Sequence, residues 1–209
     1  IPSLLEALGG TAHPDAALTK FDEFLAGLPA GVQLFSMLYA NPRLLEMLAA
    51  IVGAAPALAD HLSRRPSLLE TVLSPDFFEP LPDREALTRS LETVLRDARD
   101  YQDVLDLTRR WVHDRKFQVG VHFLQGHADV DTVGRALSDI AEAALVTLWP
   151  HVEGEFAAKH GRLPHTGPAI VAMGKLGGRE MTISSDLDLV FVAEAGDPTA
   201  ESDGAKPLD

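Results

Sequence analysis

Apolar residues recur at helical spacing along most of this chain, and only near its end does the pattern change to runs that suit strands. Ala17, Phe21, Phe24 and Leu25 share one face of an expected helix over Ala16–Leu25, with Pro14 in the opening turn, where a missing N–H is harmless. Val32 to Tyr39 is nearly all apolar, which predicts a helix buried on most sides. Leu44, Leu45, Leu48, Ile51 and Val52 read as core. The string Asn41-Pro42-Arg43-Leu44-Leu45-Glu46 returns as Arg65-Pro66-Ser67-Leu68-Leu69-Glu70. Two copies do not make a solenoid, and each proline suits the first turn of a helix.

Ser74 to Pro82 holds three prolines in nine residues, which predicts a break in regular structure, with Phe77 and Phe78 pinning the segment onto a neighbour. It divides the expected domains: a helical bundle over 1–80, and long helices leading into a catalytic portion over 81–209. Asp83 is the expected N-cap of one long helix reaching His113 or beyond, along Leu87, Leu91, Val94, Leu95, Ala98, Tyr101, Leu105, Thr108 and Val112. Its outward arginines, mixed with acids, read as a solvated face; Arg109 and Arg110 meeting an acidic surface is the alternative. His122 and His127 flank an expected turn, and with no cysteine and no clear third ligand they read as structural. A further helix is expected from Asp131 to about His160, bent at Trp149-Pro150 and ended by Gly161.

Ala169 to Val192 reads differently: an apolar run, the turn Gly174-Lys175-Leu176-Gly177-Gly178, a short polar loop, then Asp186-Leu187-Asp188 heading a second apolar run. In an extended strand alternate side chains share a face, so Asp186 and Asp188 point one way while Leu187, Leu189 and Phe191 point the other. Two such carboxylates repel unless a cation lies between them, and a hard divalent ion such as Mg²⁺ suits the pair while keeping positions for water and substrate phosphate. Gly177 and Gly178 let the backbone approach a triphosphate without a Cβ in the way, and Lys175 adds a point charge. The parts together predict metal-assisted transfer of a nucleotidyl or phosphoryl group. A D-x-D by itself is common in a chain with 31 acids; the ordered combination is what gives it meaning.

Composition narrows the acceptor. The net charge of -13, from 18 basic and 31 acidic residues, disfavours nucleic acid, whose binding rests on phosphate neutralisation by Lys and Arg. A protein or small-molecule acceptor fits better. A hydrophobic share of 46% supports a globular protein, and the absence of cysteine suits a reducing compartment. No apolar run approaches bilayer length and no signal peptide is legible, so the expected location is cytoplasmic, away from membranes.

The string Gly174-Lys175-Leu176-Gly177-Gly178-Arg179-Glu180-Met181-Thr182-Ile183-Ser184-Ser185-Asp186-Leu187-Asp188-Leu189-Val190-Phe191 closely resembles the glutamine synthetase adenylyltransferases, within the polymerase-beta-like nucleotidyltransferases. The helical text, notably Leu28 to Phe35 and Asn41 to Leu45, resembles the region preceding a catalytic domain in those enzymes, so the likeness covers most of the chain. It implies an α+β fold, predominantly α: a helical bundle, then long helices, then the first two strands of a nucleotidyltransferase-type sheet. It implies ATP as substrate, Mg²⁺ held by Asp186 and Asp188, phosphate contacts from Gly177, Gly178, Ser185 and Lys175, a tyrosine of glutamine synthetase as acceptor, and a PII-type nitrogen signalling protein as partner. The upstream text is more like the second, adenylylating half of such bifunctional enzymes. The family's third carboxylate has no counterpart after Asp188, so the chain is expected to be a fragment of a longer enzyme and inactive or nearly so alone. The competing readings are a helical regulatory module carrying a catalytic remnant, and a nucleotidyltransferase with a small acceptor.

Overall fold

Proline placement and apolar spacing shape the helices of a computed structural model that describes residues 2–26, 31–162, 167–194 and 201–206. The described residues form ten α-helices and one two-stranded antiparallel sheet, so the fold is predominantly α with a small sheet. The chain divides into two compact units, Ile1–Leu81 with Phe117–Asp129, and Pro82–Lys116 with Val130–Asp209.

The first unit contains α1 (Pro2–Gly9), α2 (Pro14–Ala26), α3 (Gly31–Ala40), α4 (Pro42–Ala54), α5 (Pro56–Arg64) and α6 (Leu68–Val72). Helix α4 packs against α1, α2, α3 and α5, which is why seven of its residues, Leu44 to Val52, are buried. Pro42 and Pro56 open α4 and α5, as their fixed φ and missing N–H allow. In the echoed string, Pro66 instead lies ahead of α6, although Leu68 and Leu69 are buried like Leu44 and Leu45. Helix α3 departs from expectation. Leu34 and Leu38 are buried, but Phe35 is 38% and Tyr39 92% exposed. Packing chiefly against α4 gives the described part of α3 one covered face, and residues one position on from that face point outward.

The proline-rich segment contains one short 3₁₀ turn, Pro75–Phe78. Phe77 is buried and meets the rings of Phe78 and Phe117 edge-on, at centroid distances of 5.0 and 6.5 Å. Its carbonyl accepts from Gln118 Nε2 at 3.0 Å, and His122 Nε2 lies 2.8 Å away. That bond gives the buried His122 a structural partner. No single helix among the described residues is long and apolar enough to cross a membrane, and the apolar α4–α5 pair bends by 119° at its break.

In the second unit the expected long helix is two. Asp83 caps α7 (Arg84–Leu95) by accepting from the Ala86 N–H at 2.8 Å. Helix α8 (Tyr101–Leu124) then starts afresh, because Asp100 Oδ1 accepts from the Asp103 N–H at 2.8 Å and Arg99 Nε bonds Asp103 at 2.6 Å. Residues of α8 up to Lys116 belong to this unit and those from Phe117 to the first. Helix α9 (Val130–His160) continues through Pro150 and ends where Gly161 turns to φ +77. Residues 195–200 and 207–209 of the expected loose tail lie outside the described residues; Asp203 accepts from the Arg162 N–H at 2.7 Å, and the Lys206 N–H donates to the Lys159 carbonyl at 3.1 Å.

Helix α7 packs along α9, and Leu87, Leu91, Leu137 and Ile140 are among the pair's buried residues. We expect Leu137→Ala, at a position with no exposure, to destabilise the unit. The loss should be about 2–5 kcal/mol from lost transfer free energy and the cavity left behind. Urea unfolding checks this as a lower midpoint at unchanged slope.

Candidate functional site

The site is built where strand β1 (Pro168–Ala172) gives way to helix α10 (Gly174–Gly177) and the chain returns as strand β2 (Leu189–Ala193). The strands are antiparallel, with Ala172 opposite Leu189. The Met173 N–H donates to the Asp188 carbonyl at 2.8 Å, one step past that pair. Regular strand begins at Leu189, so Asp186-Leu187-Asp188 precedes β2 instead of lying within it, and the Met173 bond fixes Asp188 beside the start of the turn. Gly174 has φ +51, and a Cβ there would run into the Asp188 carboxylate. Only glycine satisfies both conditions without strain.

The two later glycines differ in what they do. Their N–H groups are taken up by the turn, Gly177 bonding the Met173 carbonyl and Gly178 the Gly174 carbonyl, each at 3.0 Å. What remains is the missing Cβ. At Gly177 it would stand 2.6 Å from the Ala172 carbonyl oxygen, whereas at Gly178 its nearest neighbour would be the Glu180 side chain at 3.2 Å. Gly177 lets α10 close down on β1, and Gly178 leaves the surface bare.

Three further features hold the turn to the helical body. Leu176 and Met181 are each only 2% exposed, so apolar burial flanks the glycine pair. Arg179, at φ +56, bonds Asp139 at 2.6 Å and Glu142 at 2.7 Å on α9, and Glu142 also meets Arg84 of α7 at 3.2 Å. The hydrogen bond to Asp139, above all, raises the already high proton affinity of Arg179, so its guanidinium stays charged throughout the useful pH range. Gly134 on α9 completes the fit, since a Cβ there would lie 3.1 Å from Glu180 Cα.

The loop before Asp186 is tied internally. Ser185 Oγ accepts from the Thr182 N–H at 2.9 Å, and the Ser185 N–H donates to the Thr182 carbonyl at 3.1 Å. Lys116, reaching from α8, donates its ammonium to the Ile183 carbonyl at 3.2 Å. Burial lowers the proton affinity of this half-buried amine, and the negative charge of Asp186 opposes that shift.

Of the expected site residues, Asp186, Asp188, Lys175, Gly177 and Gly178 are exposed and Ser185 is partly covered. Asp188 and Gly174 are in immediate proximity. The donor set suits Mg²⁺ in kind, because that ion commonly takes one or two carboxylates and fills its other positions with water and substrate phosphate. Among the described residues no group of three or more His, Cys, Asp or Glu is placed to hold a metal. A cleft of about 940 Å³ in the first unit, lined by Asn41, Arg43, Met47, Phe78 and His127 among others, includes none of these residues. Sequence reasoning missed Lys116, Arg179 and Gly134. Arg179 had a signal, since it directly follows the glycine pair; the other two look like ordinary helix positions.

Comparison with known proteins bears on this arrangement. The family model described as glutamate-ammonia ligase adenylyltransferase matches residues 45–209. A protein of Mesorhizobium japonicum, named bifunctional glutamine synthetase adenylyltransferase/adenylyl-removing enzyme, is 45% identical over 207 residues, 99% of this chain. Proteins of the same name from Brucella suis and Rhizobium meliloti are 42% and 40% identical, over 99% and 100% of the chain. The chain spans only 21% of the length of each of these relatives. A family match over most of the chain, with identities of 40% and more across its whole length, establishes that the chain belongs to the glutamate-ammonia ligase adenylyltransferase family.

Proposed function

We propose that the protein carrying this chain transfers AMP from ATP to a tyrosine hydroxyl of glutamine synthetase, and that this chain supplies part of the transfer site. The observation that carries the reading is the family membership, with relatives bearing adenylyltransferase names aligned through the glycine turn and the acidic pair. In the reaction the tyrosine oxygen forms a new bond to the α-phosphorus, the α–β bridging P–O bond breaks, pyrophosphate leaves and the hydroxyl proton is lost. Asp186 and Asp188 would hold Mg²⁺, which supplies charge neutralisation for the phosphates as a Lewis acid. The bare surfaces of Gly177 and Gly178 admit the phosphate chain, with Ser185 and Lys175 contributing a hydroxyl and a point charge.

The relatives' names include an adenylyl-removing activity, so phosphorolysis of the same linkage belongs to the proposal for the whole protein. The likeness of the upstream helical text favours the adenylylating half for this chain, the family resemblance adds a PII-type nitrogen signalling protein as regulator, and the lack of cysteine suits a cytoplasmic setting. The test is incorporation of labelled AMP into purified glutamine synthetase by the full-length protein with ATP and Mg²⁺. Label on a metabolite with none on glutamine synthetase would turn the reading to a small-acceptor enzyme. Calorimetry finding no nucleotide or Mg²⁺ bound at millimolar concentration would turn it to a helical regulatory module.

A further inference from the structure

Lys116 stands apart from the residues that the glycine turn and acidic pair bring together. It comes from α8, 67 residues before the loop it touches, yet its ammonium lies 3.2 Å from the Ile183 carbonyl. Ile183 shortly precedes Ser185 and Asp186, and the Asp186 charge acts on the amine. An ammonium carries three donors. The Ile183 carbonyl takes one, and among the described residues Lys116 makes no ion pair, with Asp186 or any other acid. A half-buried cation with donors to spare, anchored to the loop that leads into Asp186, is an arrangement for an oxyanion that arrives with its own counter-ion. A lysine ammonium is a compact point charge of the kind that binds phosphate without demanding bidentate geometry.

We infer that Lys116 is a nucleotide-binding residue, its ammonium contacting the phosphates of a metal-bound nucleoside triphosphate while the Ile183 carbonyl holds it in place. This rests on the proposed function, since it takes Asp186 and Asp188 to be the metal site. A loop anchor and a phosphate ligand differ in the sign of one effect. A cation near the acidic pair repels a divalent ion, so removing it strengthens binding of the bare metal if the loop keeps its shape. The same removal weakens binding of the metal–triphosphate complex, because a charge-assisted hydrogen bond to phosphate is lost.

The experiment is calorimetric titration of the full-length protein with Mn²⁺ alone, then with Mg²⁺ and a non-hydrolysable ATP analogue. The component lost in Asp186→Asn with Asp188→Asn defines this site. Lys116→Met, which keeps the aliphatic stem, is expected to bind the analogue about 10-fold or more weakly. It should bind Mn²⁺ no more weakly than wild type, and Lys116→Arg should recover most of the analogue affinity. If Lys116→Met loses affinity for both ligands alike, Lys116 is only a loop anchor and the inference is overturned. If it loses neither, the inference is equally overturned while the acidic site stands. If wild type shows no component dependent on the two aspartates, the proposed function itself falls and takes this inference with it.

Discussion

Replacing Asp186 and Asp188 together by asparagine is expected to abolish AMP transfer in at least one direction, addition to glutamine synthetase or its removal. Asparagine keeps the shape and one acceptor oxygen but turns the other into a donor amide and takes away the two negative charges that attract a divalent ion. Losing a principal charge-stabilising group costs about 10²-fold or more in rate, and losing the ion's anchor removes the group itself. The change tests chemistry rather than folding. Both carboxylates are exposed, and the ion pairs that tie the turn to α9 run from Arg179 to Asp139 and Glu142 and involve neither of them. Exposed substitutions of this sort usually shift stability by no more than about 0.5 kcal/mol. Labelled-AMP addition and phosphate-dependent removal, assayed side by side with unfolding curves, separate the two. Loss of addition with removal retained assigns the chain to the adenylylating half. Both activities unchanged in a folded double variant would contradict the assignment of the metal site.

Much of this arrangement was legible because it is local. Asp83 announces a cap by its own residue type, Gly161 a helix end by its conformational freedom, and the glycine turn with D-x-D keeps its parts within one strand–turn–strand unit. The break between α7 and α8 was hidden because apolar spacing runs on through it. There Asp100 and Arg99 act through hydrogen bonds to Asp103 that a charged stretch does not advertise. Helix α3 misled for a different reason: an apolar run says that a segment can be buried, while the number of neighbours decides how much of it is. The supports of the site were least visible. Lys116 reaches Ile183 across 67 residues and Arg179 reaches Asp139 across 40, so neither pairing leaves a spacing to read.

That dependence on supports makes the glycine pair unequal, and Gly177→Ala is expected to damage the site far more than Gly178→Ala. The new Cβ at Gly177 would lie 2.6 Å from the Ala172 carbonyl oxygen, and that oxygen belongs to a strand residue paired with Leu189. A paired backbone group cannot swing aside as a side chain can, so α10 must move away from β1. Leu176 beside it is almost fully buried, and lifting the turn exposes it or strains its packing. Gly174 moves with the turn, and with it the bond that sets Asp188 against Met173. A displacement near 1 Å at a reacting centre is worth about 10²-fold in rate. We therefore expect Gly177→Ala to lose on the order of that in AMP transfer, with a global stability loss of about 1–3 kcal/mol from overpacking. At Gly178 the nearest obstacle is the Glu180 side chain, whose free end can turn away. Gly178→Ala should stay within about 0.5 kcal/mol of wild-type stability, so any transfer rate it loses reports a Cβ standing on the bare surface beneath the phosphates and not a displaced turn. Paired measurements of transfer rate and urea midpoint on the two variants decide the matter. Equal effects from both would mean that close approach to β1 is not what Gly177 provides, and that the two glycines act only as bare surface beneath the phosphates.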